Sequence, residues 1–235
     1  MPETRRAVDL LPMLDTSATE AECRAYLEAL RWPKGVVCPR CAGKIISRIK
    51  ARKAFDCDGC RYQFSVTAGT LFHDSHLPLR KWFVTIFLIC ESNKGMTANR
   101  LKRMLKVSYK TAWYLCHRIR AAMVEVNPEP LTDTVEVDEA HVGRGHIGIG
   151  DTNTKHGINH RLMEYLRGDV HSSTVDSMFK RSLIGSLHQV STKHLDRYLN
   201  EFEYRFNNRK NPYLFRDILL KLIDAKALPY EQLTA

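Results

Sequence analysis

The stretch Val36-Val-Cys38-Pro-Arg-Cys41, followed after fifteen residues by Cys57-Asp-Gly-Cys60, decides how the N-terminal half of this chain folds. Each C-x-x-C forms a tight turn that aims two sulfurs at one point, and the intervening loop is long enough for the turns to meet. Four thiolates satisfy a tetrahedral zinc ion and leave no open coordination position, so the expected site is structural rather than catalytic. Metal binding also supplies folding energy to a module too small for a substantial core. The competing reading is a pair of redox dithiols. Cys23, Cys90 and Cys116 stand alone on apolar helical faces and are expected to pack rather than ligate.

Outward from the cysteines the sequence is basic. Arg40, Lys44, Arg48, Lys50, Arg52, Lys53 and Arg61 surround them, and the 235-residue chain carries a formal charge of +10. That excess points to an anionic partner, most simply nucleic acid, with a basic soluble enzyme as the bland alternative. Apolar residues make up 44% of the chain, enough for a packed core and against wholesale disorder. No apolar run is long enough to span a bilayer, and the N-terminus lacks a secretory h-region. The expected location is therefore the cytoplasm, against the nucleoid, with reduced cysteines.

Helical periodicity brackets the cysteines. Ser17-Ala-Thr-Glu20 reads as a capping box opening a helix with Cys23, Tyr26, Leu27 and Leu30 on its apolar stripe. Pro78 starts a second helix, reaching about Glu91, with Trp82, Phe83, Ile86, Phe87 and Cys90 apolar. Gly95 breaks it. Thr97 caps a third helix (Ala98, Leu101, Met104, Leu105 on one face), and Lys106-Val107 makes a short turn. Ser108 caps a fourth helix with Ala112, Leu115, Cys116, Ile119 and Met123 inward. Two short helices joined by a tight turn form a helix-turn-helix plan. With that face inward, Lys110, Trp113, Tyr114, His117 and Arg118 are expected on the outer, DNA-binding side. The alternative is a helical bundle with basic exposed faces. Beyond a linker at Asn127-Pro-Glu-Pro130, Thr134–Val142 alternates as a strand. Ser191 is placed to cap a long helix with Leu195, Tyr198, Leu199, Phe202 and Phe206 on one side. A last helix uses Phe215, Ile218, Leu219, Leu222 and Ile223.

The strings EAECRAYLEALRWPKGVVCPRC, FDCDGCRYQFSVTAGTLFH, LPLRKWF and KVSYKTAWYLCHRIRAAM resemble the N-terminal half of bacterial insertion-sequence transposases of the zinc-ribbon family called fifteen-ninety-five. VEVDEAHVG and the long string from INHRLMEYLRGDV to NEFEYRFNNR resemble its catalytic half. The resemblance implies a ribonuclease H-like catalytic domain whose acidic residues hold Mg²⁺ or Mn²⁺ for two-metal phosphodiester cleavage and joining. It places the first metal-binding carboxylate at Asp138. Between Asp138 and Asp176 lie 37 residues. The strands and helix expected there need about 60 to 90 at usual element lengths, so an internal deletion is expected. At the third position Ser173 stands where Asn is usual and Asp176 where Glu is usual. Lys180 joins Asp138 and Asp176 as a catalytic candidate, and Arg181 joins the DNA-binding set.

The expected fold is multidomain α+β. It comprises an N-terminal helical segment (1–35), a zinc ribbon (36–74), a helix-turn-helix bundle (75–126) and a truncated ribonuclease H-like α/β domain (132–226). Expected partners are double-stranded DNA at the element's ends and further copies of the chain, with no membrane. The competing functional expectation is a deleted, non-catalytic DNA-binding protein that inhibits an intact relative. A third is a decayed reading frame whose exposed sheet edges aggregate.

Overall fold

A computed structural model describes residues 19–92, 95–124, 139–142, 158–161 and 192–234. These residues fall into two compact units. One joins the residues up to Leu88 with those from Phe215 onward; the other runs from Ile89 to Leu214.

In the first unit, α1 (Glu20–Arg31) begins with a capping box, but on Thr19 and Glu22 rather than on Ser17 and Glu20. The Thr19 amide donates to Glu22 Oε2 at 2.6 Å, and the Glu22 amide donates back to Thr19 Oγ1 at 3.3 Å. Glu20 is used elsewhere. Its carboxylate accepts from the Leu79 and Arg80 amides at 2.9 and 3.2 Å, satisfying donors at the start of α2 (Leu79–Glu91). Cys23, Tyr26 and Leu27 are buried, and Tyr26 meets Phe83 edge-on at 6.1 Å. On α2, Trp82, Phe83 and Ile86 are buried as expected, while Phe87 and Cys90 are half-buried.

The antiparallel strands β1 (Ile46–Ile49), β2 (Ala54–Cys57) and β3 (Gln63–Phe64) lie in that order, with Ile46 opposite Cys57 and Phe55 opposite Phe64. Phe55 and Phe64 form a small core with Cys38, Cys57 and Ala68. Trp32 closes it, edge-on to Phe55 at 5.3 Å. Arg31 tethers the following loop by donating to the Val66 and Ala68 carbonyls at 2.5 and 2.7 Å.

The helix α6 (Leu214–Asp224) buries the five residues expected of it, Phe215, Ile218, Leu219, Leu222 and Ile223. It does so in the first unit: Phe215 packs on Phe83 at 5.8 Å, and the Leu71 amide donates to the Leu222 carbonyl at 3.0 Å. The sequence grouped this helix with residues 132–226. Periodicity shows that a face is apolar, not which partner covers it. A short helix, α7 (Tyr230–Thr234), follows.

The second unit holds α3 (Ala98–Leu105), α4 (Tyr109–Ala122), β4 (Glu139–Val142), β5 (Ile158–Arg161) and α5 (Leu195–Asn207). The strands form an antiparallel pair with Glu139 opposite Arg161 and Val142 opposite Ile158. A single turn of 3₁₀ helix, Thr192–His194, leads into α5, whose N-cap is His194. The helix thus begins three residues beyond the expected cap. Leu195, Phe202 and Phe206 are buried as expected; Glu201 and Tyr204 join them. Among the described residues the fold is mixed helix with small sheets, and no helix is long and apolar enough to cross a membrane. Most of the segment expected to be ribonuclease H-like, with Asp138, Ser173, Asp176, Lys180 and Arg181, lies outside the described residues.

Candidate metal centre and nucleic-acid interface

The two cysteine turns have the same local geometry. After the first, Ala42 sits in the left-handed region at φ 57 and its amide donates to the Cys38 carbonyl at 3.0 Å. After the second, Arg61 does the same at φ 54, donating to the Cys57 carbonyl at 2.7 Å. Each turn therefore folds its two sulfurs to one side. The four sulfurs all lie within 4.8 Å of one another, with Cys38–Cys60 at 3.6 Å and Cys41–Cys57 at 3.5 Å. A tetrahedral ion with zinc–sulfur bonds of about 2.3 Å needs sulfurs about 3.8 Å apart. The site fits zinc without rearrangement. Burial would raise the Cys38 thiol, but the Cys41 and Arg40 amides and the Cys60 thiol bring it down to about 7, while burial and the neighbouring thiols push Cys60 up to about 12. The backbone passes close at Gly43, where a Cβ would lie 3.2 Å from Cys41 Sγ and 3.4 Å from Cys57 Sγ.

Some of the basic residues around the ribbon have structural work. Arg48 pairs with Glu28 at 2.7 Å and lies over the Phe55 ring at 4.8 Å. Arg40 lies over the Tyr62 ring at 5.0 Å. Lys44, Lys50, Lys53 and Arg61 remain exposed.

In the second unit both expected caps are present. Thr97 Oγ1 accepts from the Arg100 amide at 3.1 Å, and Ser108 Oγ accepts from the Thr111 amide at 3.1 Å. The turn between the helices is made by Lys106, left-handed at φ 51. Leu101, Leu105, Ala112, Leu115, Cys116 and Ile119 are buried between the two helices and their neighbours. Met104, expected to share the inner face of α3, is 48% exposed.

The outward placement expected along α4 holds only for part of the helix. Lys110 is exposed, and Trp113 and Tyr114 are half-buried. His117 and Arg118 are buried, at 0 and 3% exposure, which corrects the expectation of an outer face at these positions. For His117 the cause is α5: its ring lies 5.4 Å from Tyr198 and 4.9 Å from His194, so α4 is covered on a second side there. Arg118 lies over Tyr114 at 4.4 Å. The basic exposed set is instead Arg100, Lys102, Arg103 and Lys106 on α3 with Lys110 at the start of α4. Tyr109, 49% exposed, and Met104 stand among these cations; Tyr109 was not singled out from the sequence, and Met104 was expected inside.

A salt-bridge network joins α4 to α5. Arg120 Nε meets Glu201 Oε2 at 2.5 Å with both side chains buried, and Arg205 meets Glu201 Oε1 at 3.0 Å. Arg120 also donates to the Met96 carbonyl at 2.9 Å, and Arg205 donates to the Ser92 carbonyl. Burial works against the Glu201 charge, but Arg120 and Arg205 outweigh it and hold the carboxyl below its ordinary range. Gly95, at φ +80, lets the loop approach: a Cβ there would lie 3.3 Å from Glu201 Oε1 and 3.4 Å from Arg205 Nη1. Spacing along the chain gave no sign of this pairing, because its members are 81 residues apart.

Two family models match the chain in order. The transposase zinc-ribbon domain matches residues 18–63, spanning α1 and the four cysteines. The ISXO2-like transposase domain matches residues 148–207, ending with α5. Both models describe transposase domains, so the chain is similar to transposases at its ribbon and over residues 148–207. It is also 30% identical over 138 residues to an uncharacterized protein in transposable element ISH50 of Halobacterium salinarum. That alignment takes in 57% of this chain and 46% of the relative, so the chain matches less than half of that protein's length. No solved structure matches. The metal centre is thus a zinc-ribbon site by both motif and geometry.

Proposed function

We propose that the chain binds double-stranded DNA at the ends of its insertion element and, as a homo-oligomer, cleaves and joins that DNA. The observation that carries the binding half is the face formed by α3 and the start of α4. There Arg100, Lys102, Arg103, Lys106 and Lys110 are exposed around Tyr109 and Met104. Cations neutralise phosphates, and apolar or aromatic side chains among them meet sugar and thymine-methyl surface. In helix-turn-helix docking the N-terminal residues of the second helix approach the base edges, which is where Tyr109 and Lys110 stand. Lys44, Lys50, Lys53 and Arg61 of the ribbon supply further backbone contacts.

The cleaving half is supported by the match to a transposase domain over residues 148–207, which favours this reading over a non-catalytic inhibitor. Asp138 and Asp176 would hold divalent metal, which supplies an activated water or 3′-hydroxyl and a stabilised leaving oxygen. The test is incubation of purified chain and an Asp138→Ala variant with end-bearing DNA and Mg²⁺ or Mn²⁺. Metal-dependent nicking by the chain, absent from the variant, is expected. Binding without nicking would overturn the catalytic half and leave the binding half standing.

A further inference from the structure

Four buried nitrogen atoms without a hydrogen-bond partner lie between α4 and the start of α5: His117 Nδ1 and Nε2, His194 Nδ1 and Arg197 Nη1. An orphaned buried polar group loses its hydration without recovering a partner, so several gathered in one place are unusual in a stable fold unless something completes them. The rings are close: His117 lies 4.9 Å from His194 and 4.2 Å from Trp113, and Trp113 lies 5.2 Å from His194.

Burial, more than any neighbour, holds both imidazoles in the neutral form; Arg120, His194 and Arg197 add to this at His117, and Arg197 and Lys193 at His194. The cation within the cluster is the Arg197 guanidinium. The buried acid nearby, Glu201, is already engaged by Arg120 and Arg205. His194 is also the N-cap of a 13-residue helix that no side chain caps, and a helix start carries partial positive charge. The Arg197 guanidinium and the helix start disfavour a metal cation and favour an oxyanion. His194 and Arg197 are half-buried, so the cluster lies at an edge of the unit rather than sealed within it. Trp113 follows Lys110 by three residues and His117 follows Trp113 by four, so the cluster continues from the DNA-facing end of α4 along one side of the helix.

We infer that His194 and Arg197, backed by His117, form a binding site for a phosphate-type oxyanion at the start of α5. The group is a backbone phosphate of the duplex on the reading above; inorganic phosphate offers the same oxygens. The site makes α5, which lies within the matched transposase domain, a contributor to DNA contact.

The test uses the full zinc-loaded chain, Arg197→Gln, and Arg197→Lys as a charge-retaining control. Thermal melts are recorded in chloride with increasing inorganic phosphate, and duplex affinity is measured across a KCl series. Phosphate is expected to raise the melting temperature of the chain progressively, to leave Arg197→Gln unmoved and to act partly on Arg197→Lys. The log–log salt slope for duplex is expected to fall by about one in Arg197→Gln. A phosphate response lost in Arg197→Gln with an unchanged duplex slope still supports the site and identifies free phosphate as its occupant. No phosphate effect on the chain, together with the same slope in both proteins, overturns the inference. A chain that binds no duplex yet answers to phosphate through Arg197 would sink the DNA reading and keep this one.

Discussion

Lys106 occupies the one backbone position between α3 and α4 where glycine would be easiest. At φ 51 and ψ 55 a side chain with a Cβ costs about 1 kcal/mol or more, yet the residue is a lysine and it is exposed. The DNA reading explains the choice, because the turn then places a cation on the phosphate-facing surface. Lys106→Gly is therefore expected to raise stability by about 1 kcal/mol in urea titration while weakening duplex binding. A variant that is more stable and binds equally well would remove Lys106 from the interface. At the same scale, the zinc ligands were legible because a metal needs fixed residue types at fixed spacing. The capping box was legible in kind but misplaced by two residues. Ser17 and Glu20 fit the pattern as well as Thr19 and Glu22, and what separates them is the task of Glu20 at the start of α2.

Helix α4 shows what a single amphipathic stripe conceals. The inward set Ala112, Leu115, Cys116, Ile119 and Met123 is buried as its period requires. His117 and Arg120 look solvent-facing on that wheel, yet α5 covers them, and covering requires a buried acid on the other helix. Glu201 is that acid. Removing one partner of a buried pair strands the other charge and costs about 3–5 kcal/mol, whereas replacing both with apolar groups is often neutral or better. Glu201→Ala is expected to lose stability in that range by chemical denaturation, and Arg120→Met with Glu201→Leu to recover most of it. A loss below about 1 kcal/mol in the single variant would show that the network does not hold α4 on α5.

At the level of the whole molecule the chain order and the folded units differ. The ribbon segment and α6 share one unit though well over a hundred residues separate them in sequence, and the helix-turn-helix shares the other with α5. Sequence periodicity identified nearly every described helix, but which helices share a unit depends on long-range contacts such as Phe83 with Phe215 and Arg120 with Glu201. The charge of +10 and the cations Arg100, Lys102, Arg103 and Lys106 are likewise visible in the sequence, while the burial of His117 beneath α5 is not. The most direct measurement is a fluorescence-anisotropy titration of the full chain against a duplex copied from the ends of its element and a shuffled duplex, repeated across a KCl series. The end duplex is predicted to bind about a thousandfold more tightly at physiological salt, with log affinity falling linearly as log salt rises. Equal affinity for the two duplexes, or affinity that salt does not change, would contradict the proposed binding to element ends.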